Sequence, residues 1–269
     1  MKPLAYFVSA LLIFGFISAA CSLAQRSPTV ASEPTWLAPT QPPPTATPIP
    51  ADTPLPTHAP KPTPDAKATK SALATDTAQR EFELISSELE GTGLSVDKGH
   101  LGWIQDKPYV IEMSSYHDAF YSEFAEDLVA SDFIIKTDIT WESDGLVYCG
   151  FLMRSGSDFV NGKQYAFQNM RFSGLPAWDI EYWENARFQS NVTQKVRFSD
   201  ALKLENGSTN TFIIVAKGNE FTVYINGVRQ GRFYDYSNQT AAGRFAWIAS
   251  QESGPSSCTF NNSWIWVIE

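Results

Sequence analysis

The chain has 269 residues, 43% of them hydrophobic and 13% aromatic, enough to bury a substantial core. A formal net charge of -9 and the absence of a basic stripe to neutralise phosphates argue against nucleic acid as a partner. Thirteen of the 17 prolines lie between Pro28 and Pro64, so this segment stays outside the core and one globular domain of about 170 residues remains.

Taken in order, the chain opens with Lys2, the apolar run Leu4 to Phe16 and the small residues Ser18-Ala19-Ala20 ahead of Cys21. This pattern predicts a secretory signal over residues 1–21. Ala19-Ala20-Cys21 resembles a bacterial lipobox, which implies lipidation of Cys21 and attachment to the membrane, although Ser18 stands where that motif usually has Leu or Val. Cleavage to a soluble secreted form and an uncleaved anchor are the alternatives.

Residues 22–65 are rich in Pro, Thr and Ala, with TPIP, TPLP and KPTP units. Such a composition cannot bury enough surface to offset the entropy of ordering, so a disordered stalk is expected. In polyproline II form, at about 3.1 Å per residue, it would reach roughly 100 Å from a membrane. No basic or aromatic anchor flanks the repeats, as a PxxP ligand would need.

Residues 66–91 change to helix formers, and Ala78, Phe82, Ile85 and Leu89 fall on one face at spacings of four, three and four. Asp76 with Gln79 predicts the N-terminal cap and Gly91 the stop. The apolar stripe would pack on the following domain or on a second copy. At under three heptads it is too short for a sustained coiled coil.

From Gly99 to Glu269 short strands alternate with turn signals. They are expected at Gly102 to Ile104, Tyr109 to Met113, Asp132 to Trp141, Leu146 to Met153, Gln164 to Arg171, Trp178 to Trp183 and Thr193 to Phe198. A meander over Asn210 to Asp235, then Gly243 to Ser250 and Ser263 to Ile268, complete the set. Within the meander, Phe221, Val223 and Ile225 alternate with polar neighbours, and Asn226-Gly227 has the chemistry of a type I′ turn. The fold class is therefore an all-β antiparallel sandwich, with a last strand that returns to pair near Asp132 to Trp141.

The stretches DFIIKTDITW, GLVYCGFLMR, RFSGLPAWDIEYW, NTFIIVAKGNEFTVYINGVRQG and QESGPSSCTFNNSWIW carry a more specific likeness. Together they resemble the concanavalin A-like, laminin-G-like jelly rolls related to the 3-keto-disaccharide hydrolase group, found in Chloroflexi-type envelope lipoproteins. The likeness implies a jelly roll over residues 99–269. It implies little about activity, because one fold hosts many functions.

Candidate chemistry is sparse. With Cys21 lipidated, Cys149 and Cys258 remain as an even pair in an oxidising compartment and predict a disulfide; two buried free thiols are the alternative. No GxSxG elbow, phosphate loop, CxxC or HxxxH occurs, and His58, His100 and His117 are scattered. No cofactor is expected. Calcium is the one metal with oxygen ligands in reach of turns, at Asp144, Asp158 and Asp235, but their spacing is not that of an ordered site.

Trp178-Asp179-Ile180-Glu181-Tyr182-Trp183-Glu184 resembles the carboxylate strand of laminarinase-type glycoside hydrolases. Asp179 and Glu181 would share a strand face about 7 Å apart, with Glu184 on the opposite one unless a bulge intervenes. The plainer reading has Trp178, Ile180 and Tyr182 inward and the carboxylates solvated.

These observations favour a surface-displayed, lipid-anchored, non-catalytic binding module with glycan as its ligand. Sugar faces combine aromatic rings with planar polar groups, and Trp178, Tyr182, Trp183, Trp247, Arg154, Arg171, Gln251 and Glu252 are the residues on offer. The alternatives are a glycoside-acting hydrolase using Asp179, Glu181 or Glu184, and an envelope protein that makes only protein contacts.

Overall fold

Each expected apolar run except one becomes a strand, because its alternating side chains can be buried only by stacking one sheet on another. A computed structural model of the protein describes residues 66–269 apart from 97, 118, 144, 173, 238–241 and 253, with the backbone alone at 66–72 and 172. The signal segment, Cys21, the stalk and Asp144 lie outside the described residues.

Chain order is α1 (Ala66–Glu88), β1 (Gly99–Ile104), β2 (Tyr109–Met113), β3 (Ala119–Phe124), β4 (Phe133–Ser143), β5 (Val147–Ser155), β6 (Gln164–Phe172) and β7 (Leu175–Glu184). There follow β8 (Arg187–Asn191), β9 (Arg197–Phe198), β10 (Thr209–Lys217), β11 (Glu220–Ile225), β12 (Val228–Tyr234), β13 (Arg244–Gln251) and β14 (Ser256–Ile268). One sheet has the order β1-β14-β4-β10-β11-β12, with β2 also on β14; the second has β3-β13-β5-β6-β7-β8, with β9 on β7. The two antiparallel sheets stack as a jelly-roll sandwich. The closing strand does pair as expected, with Val267 opposite Phe133.

Between the sheets lies a core that includes Phe133, Trp141, Phe151, Phe167, Trp178, Phe212, Phe221, Phe245 and Trp247. A Cys149–Cys258 disulfide ties β5 of one sheet to β14 of the other, with Cα atoms 5.7 Å apart and 109 residues between the cysteines. At Asn226-Gly227 the φ angles of 48° and 78° are those of the expected type I′ turn.

Three details differ from the sequence expectation. The helix starts at Ala66 rather than at a cap on Asp76, whose carboxylate instead pairs with Arg80 one turn on. Unbroken helix formers ahead of Asp76 carry the helix through that cap signal. Thr193 to Phe198 is not one strand: Gln194 has φ 67° in a turn between β8 and the two-residue β9. Third, β3 and β8 were not expected at all.

The last turn of α1 seals the outer face of the first sheet. Ile85 and Leu89 are fully buried against Ile134, Ile213, Tyr224, Trp264 and Trp266, and Phe82 meets Trp266 edge-on at 6.2 Å. Lys136, itself buried in that face, pairs with Glu88 at 3.0 Å. Gly91 then ends the helix region with φ 84°. Among the described residues no helix is long and apolar enough to cross a membrane.

Candidate functional site on the outer face of the second sheet

On β7 the period-2 rule sorts the carboxylates from the core. Trp178, Ile180 and Tyr182 point inward and are buried, while Asp179, Glu181 and Trp183 occupy the outer face. Register with β6 sets Gln168 beside Asp179, Ala166 beside Glu181 and Gln164 beside Trp183. One strand further, Gly150 of β5 lies opposite Gln168, so the row through Asp179 has no side chain at that position.

Asp179 is not solvated and Glu181 is half-buried, which corrects the plainer reading above. Asp179 has 0% exposure, and Asn191 of β8 donates its Nδ2 to Asp179 Oδ2 at 2.9 Å. The Thr193 hydroxyl donates to Asn191 Oδ1 and so fixes which way that amide points. Glu181 Oε2 accepts from Gln168 Nε2 at 2.6 Å and from Trp183 Nε1 at 2.8 Å. Trp183 is held by that bond, by packing on the outer-face strip of Leu152, Ala166 and Ala246, and by an edge contact to Phe188 at 6.0 Å.

Burial, and then the neighbouring charge of Glu181, pushes the Asp179 carboxyl up to about 8. Glu181 is also raised by burial, against the opposing pull of its bonds from Trp183 and Gln168. Asp179 Oδ1 is buried and accepts no hydrogen bond from an N–H or hydroxyl group among the described residues. A single proton shared with Glu181 resolves both facts, since two adjacent buried carboxylates do not ionise together. Tyr148 of β5 completes the cluster: burial, then Glu252, Glu181 and Asp179, raises its hydroxyl to about 12, so it stays a neutral donor.

Several residues expected at a site are elsewhere. Trp178 is core, and Trp247 is sandwiched between Phe124 at 3.8 Å and Phe260 at 4.4 Å, so neither can stack on a ligand. Tyr182 is likewise buried and sends its hydroxyl to Glu184 at 3.0 Å. Arg154 is 1% exposed, with φ 50°, and clamps loops inside the sandwich by donating to the carbonyls of Ser131 and Gly218 at 2.7 Å each. Gln251 is buried and donates to the Ser115 carbonyl at 2.7 Å; Arg171 donates to the Ser143 carbonyl. Glu252 is exposed and reaches the cluster only through its charge on Tyr148.

Glu184 lies on the other side of β7, 3.6 Å from Lys163, and the same-face position that follows Asp179 and Glu181 is Trp183. A glycosidase needs two carboxyl groups flanking the bond it breaks, roughly 5 Å apart or more. Here one of the pair, Asp179, is wholly buried.

Of the turn carboxylates, Asp158 Oδ1 caps the amides of Val160 and Asn161 at 2.9 Å each, and these bonds hold its carboxyl below its ordinary range. Asp235 is occupied by the hydroxyls of Tyr165 and Ser237. Among the described residues no three acidic, histidine or cysteine side chains converge as a metal site would require.

Tyr148, Gln168 and Asn191 were missed by the sequence reading. Alternation in Gln164 to Met170 does place Gln168 opposite the core residues Tyr165 and Phe167, but only the register with β7 brings it to Glu181.

No model of a known protein family and no curated protein matches the chain. Solved structures are similar at low identity. A carbohydrate-binding module, CBM66, from Bacillus subtilis is 17% identical, covering 58% of this chain and 85% of its own, with a TM-score of 0.45. A Bacillus licheniformis beta-glucanase is 11% identical over 53% of this chain and 69% of its own, with a TM-score of 0.40. Sheep galectin-11 is 8% identical over 57% of this chain and 99% of its own, with a TM-score of 0.37.

Proposed function

We propose that this protein is a non-catalytic glycan-binding module, lipid-anchored and displayed outside the cytoplasm, with its ligand on the outer face of the second sheet. The observation that carries this reading is Glu181, whose Oε2 is oriented by Gln168 and Trp183 beside a half-buried indole and an apolar strip. An aromatic ring next to planar hydrogen-bonding groups is what a pyranose requires, with its C–H face on the ring and its hydroxyls on the polar edge. One stacked ring is worth about 1 kcal/mol, so dissociation constants from high micromolar to millimolar are expected for a short oligosaccharide.

Affinity electrophoresis in gels containing plant, fungal or bacterial polysaccharides tests it. The wild-type domain should be retarded by at least one neutral polysaccharide, and Trp183→Ala should run freely while keeping its melting temperature. A Trp183→Ala variant that folds and is retarded as strongly as the wild type would remove this face from the account.

For the anchor, support comes from the apolar run and small residues before Cys21 and from a disulfide that suits an oxidising compartment. Metabolic labelling with a fatty acid should mark the protein, and Cys21→Ala should abolish the label. Equal release of both forms into the medium would contradict lipid attachment.

A further inference from the structure

At the far edge of the second sheet, the turn after β8 and the end of β12 enclose a separate cleft of about 190 Å³. Thr193, Gln194 and Arg197 line one wall, and Arg232, Tyr234 and Tyr236 line the other. We infer that this cleft is a second binding site, and that it takes the carboxylate-bearing ring of an acidic saccharide.

Charge is the first argument. In a chain of net charge -9, two arginines line one small space. Arg232 hydrogen-bonds the side chain of Tyr234 on its own wall and pairs with Glu220, Nε to Oε1 at 2.9 Å. Arg197 has no ion-pair partner among the described residues; its guanidinium sits over the Phe233 ring at 5.6 Å. A guanidinium supported on an aromatic ring keeps its N–H groups for a planar anion, and a carboxylate matches that fork in two parallel bonds.

Shape and surface supply the second argument. Tyr236 is 85% exposed and stacks on Tyr234 with ring centres 5.9 Å apart and an interplanar angle of 26°. So exposed an aromatic pair does nothing for the core, but it offers a platform for the C–H face of one sugar ring. Gln194, in the turn that lines the cleft, is held at φ 67°, a backbone state that a non-glycine residue adopts at a cost. The cleft is also tied to the first site, because the hydroxyl of Thr193 orients Asn191, which in turn holds Asp179. A ligand reaching both sites would run along the β8 edge, yet the cleft's chemistry stands without the sheet-face reading.

Calorimetric titration of the whole chain with an oligogalacturonate and with a neutral oligosaccharide of the same length tests the assignment. Binding of the acidic probe should weaken at least roughly tenfold in Arg197→Gln and in Tyr236→Ala, whereas Trp183→Ala should bind it as the wild type does. Tyr236 is too exposed for its loss to unfold the domain, so that variant reads the site even if Arg197→Gln is unstable. The assignment is overturned if the wild type ignores the acidic probe, or if both variants bind it unchanged. Displacement by inorganic sulfate at equal concentration would show a general anion site and overturn the saccharide class. Failure of the neutral oligosaccharide to bind would count against the sheet-face site alone.

Discussion

Asp179→Asn is expected to raise the melting temperature at pH 8 and above and to change it little near pH 4. Burial and the charge of Glu181 lift the Asp179 carboxyl from its ordinary 3.8 to about 8 in the folded protein. Below the lower value the group is protonated folded or unfolded, and its contribution to stability is fully present. Between the two values the folded protein keeps a proton that the unfolded chain has released, so stability falls as pH rises and levels off above about 8. The slope has a ceiling of about 1.4 kcal/mol per pH unit. Asparagine carries no proton to lose, still accepts from Asn191 and offers an N–H towards Glu181. A gain of roughly 5 °C or more at pH 8 is expected for a domain of this size, read by thermal unfolding across pH. An equal shift at every pH would show that Asp179 does not titrate in this interval.

Breaking the Cys149–Cys258 bridge is expected to have the other large effect. The bridge closes a loop spanning 109 residues and links the two sheets, and in the loop-entropy description such a closure contributes about 4 kcal/mol. Both sulfurs are buried, so Cys149→Ala/Cys258→Ala leaves a small gap in the core besides the lost cross-link. Its melting temperature should fall by roughly 10 °C, and reductant should lower the wild type in the same way. Native protein should resist alkylation at both positions. Two freely alkylated thiols, or melting unchanged by reductant, would contradict the bridge.

Most of the architecture is legible in local patterns, for reasons that also explain the omissions. Alternation in Phe221, Val223 and Ile225 and the Asn226-Gly227 turn are short-range signals, and the meander forms where they indicate. By contrast, β3 takes its conformation from pairing with β13: its Phe120 and Tyr121 are 42% and 48% exposed, so no inward-outward pattern marks it. The helix stripe was half right in physical terms, since Ile85 and Leu89 are buried whereas Ala78 is exposed and Phe82 is 40% exposed.

Site residues were harder to read because parity alone does not say what covers a face. The period-2 rule separates Asp179 and Glu181 from Trp178 and Tyr182, yet their burial depends on Gln168 and Asn191, which arrive on other strands. Trp247 illustrates a second limit. It alternates inward with Phe245 and Ala249, and residue type alone makes it look like a sugar platform when it is a core ring. Arg154 is a third case, a guanidinium buried inside the sandwich, where its Nε and one terminal nitrogen donate to loop carbonyls.

The central claim, that a glycan lies against Trp183 on the outer face of the second sheet, is tested most directly by the indole N–H resonances of the tryptophans. Trp183 Nε1 donates to Glu181, whereas Trp178 and Trp247 are sealed in the core. Titration with fragments of whichever neutral polysaccharide retards the domain in the gel should shift the Trp183 resonance progressively and leave those of Trp178 and Trp247 in place. Saturable binding of such a fragment with the Trp183 resonance unmoved would contradict it.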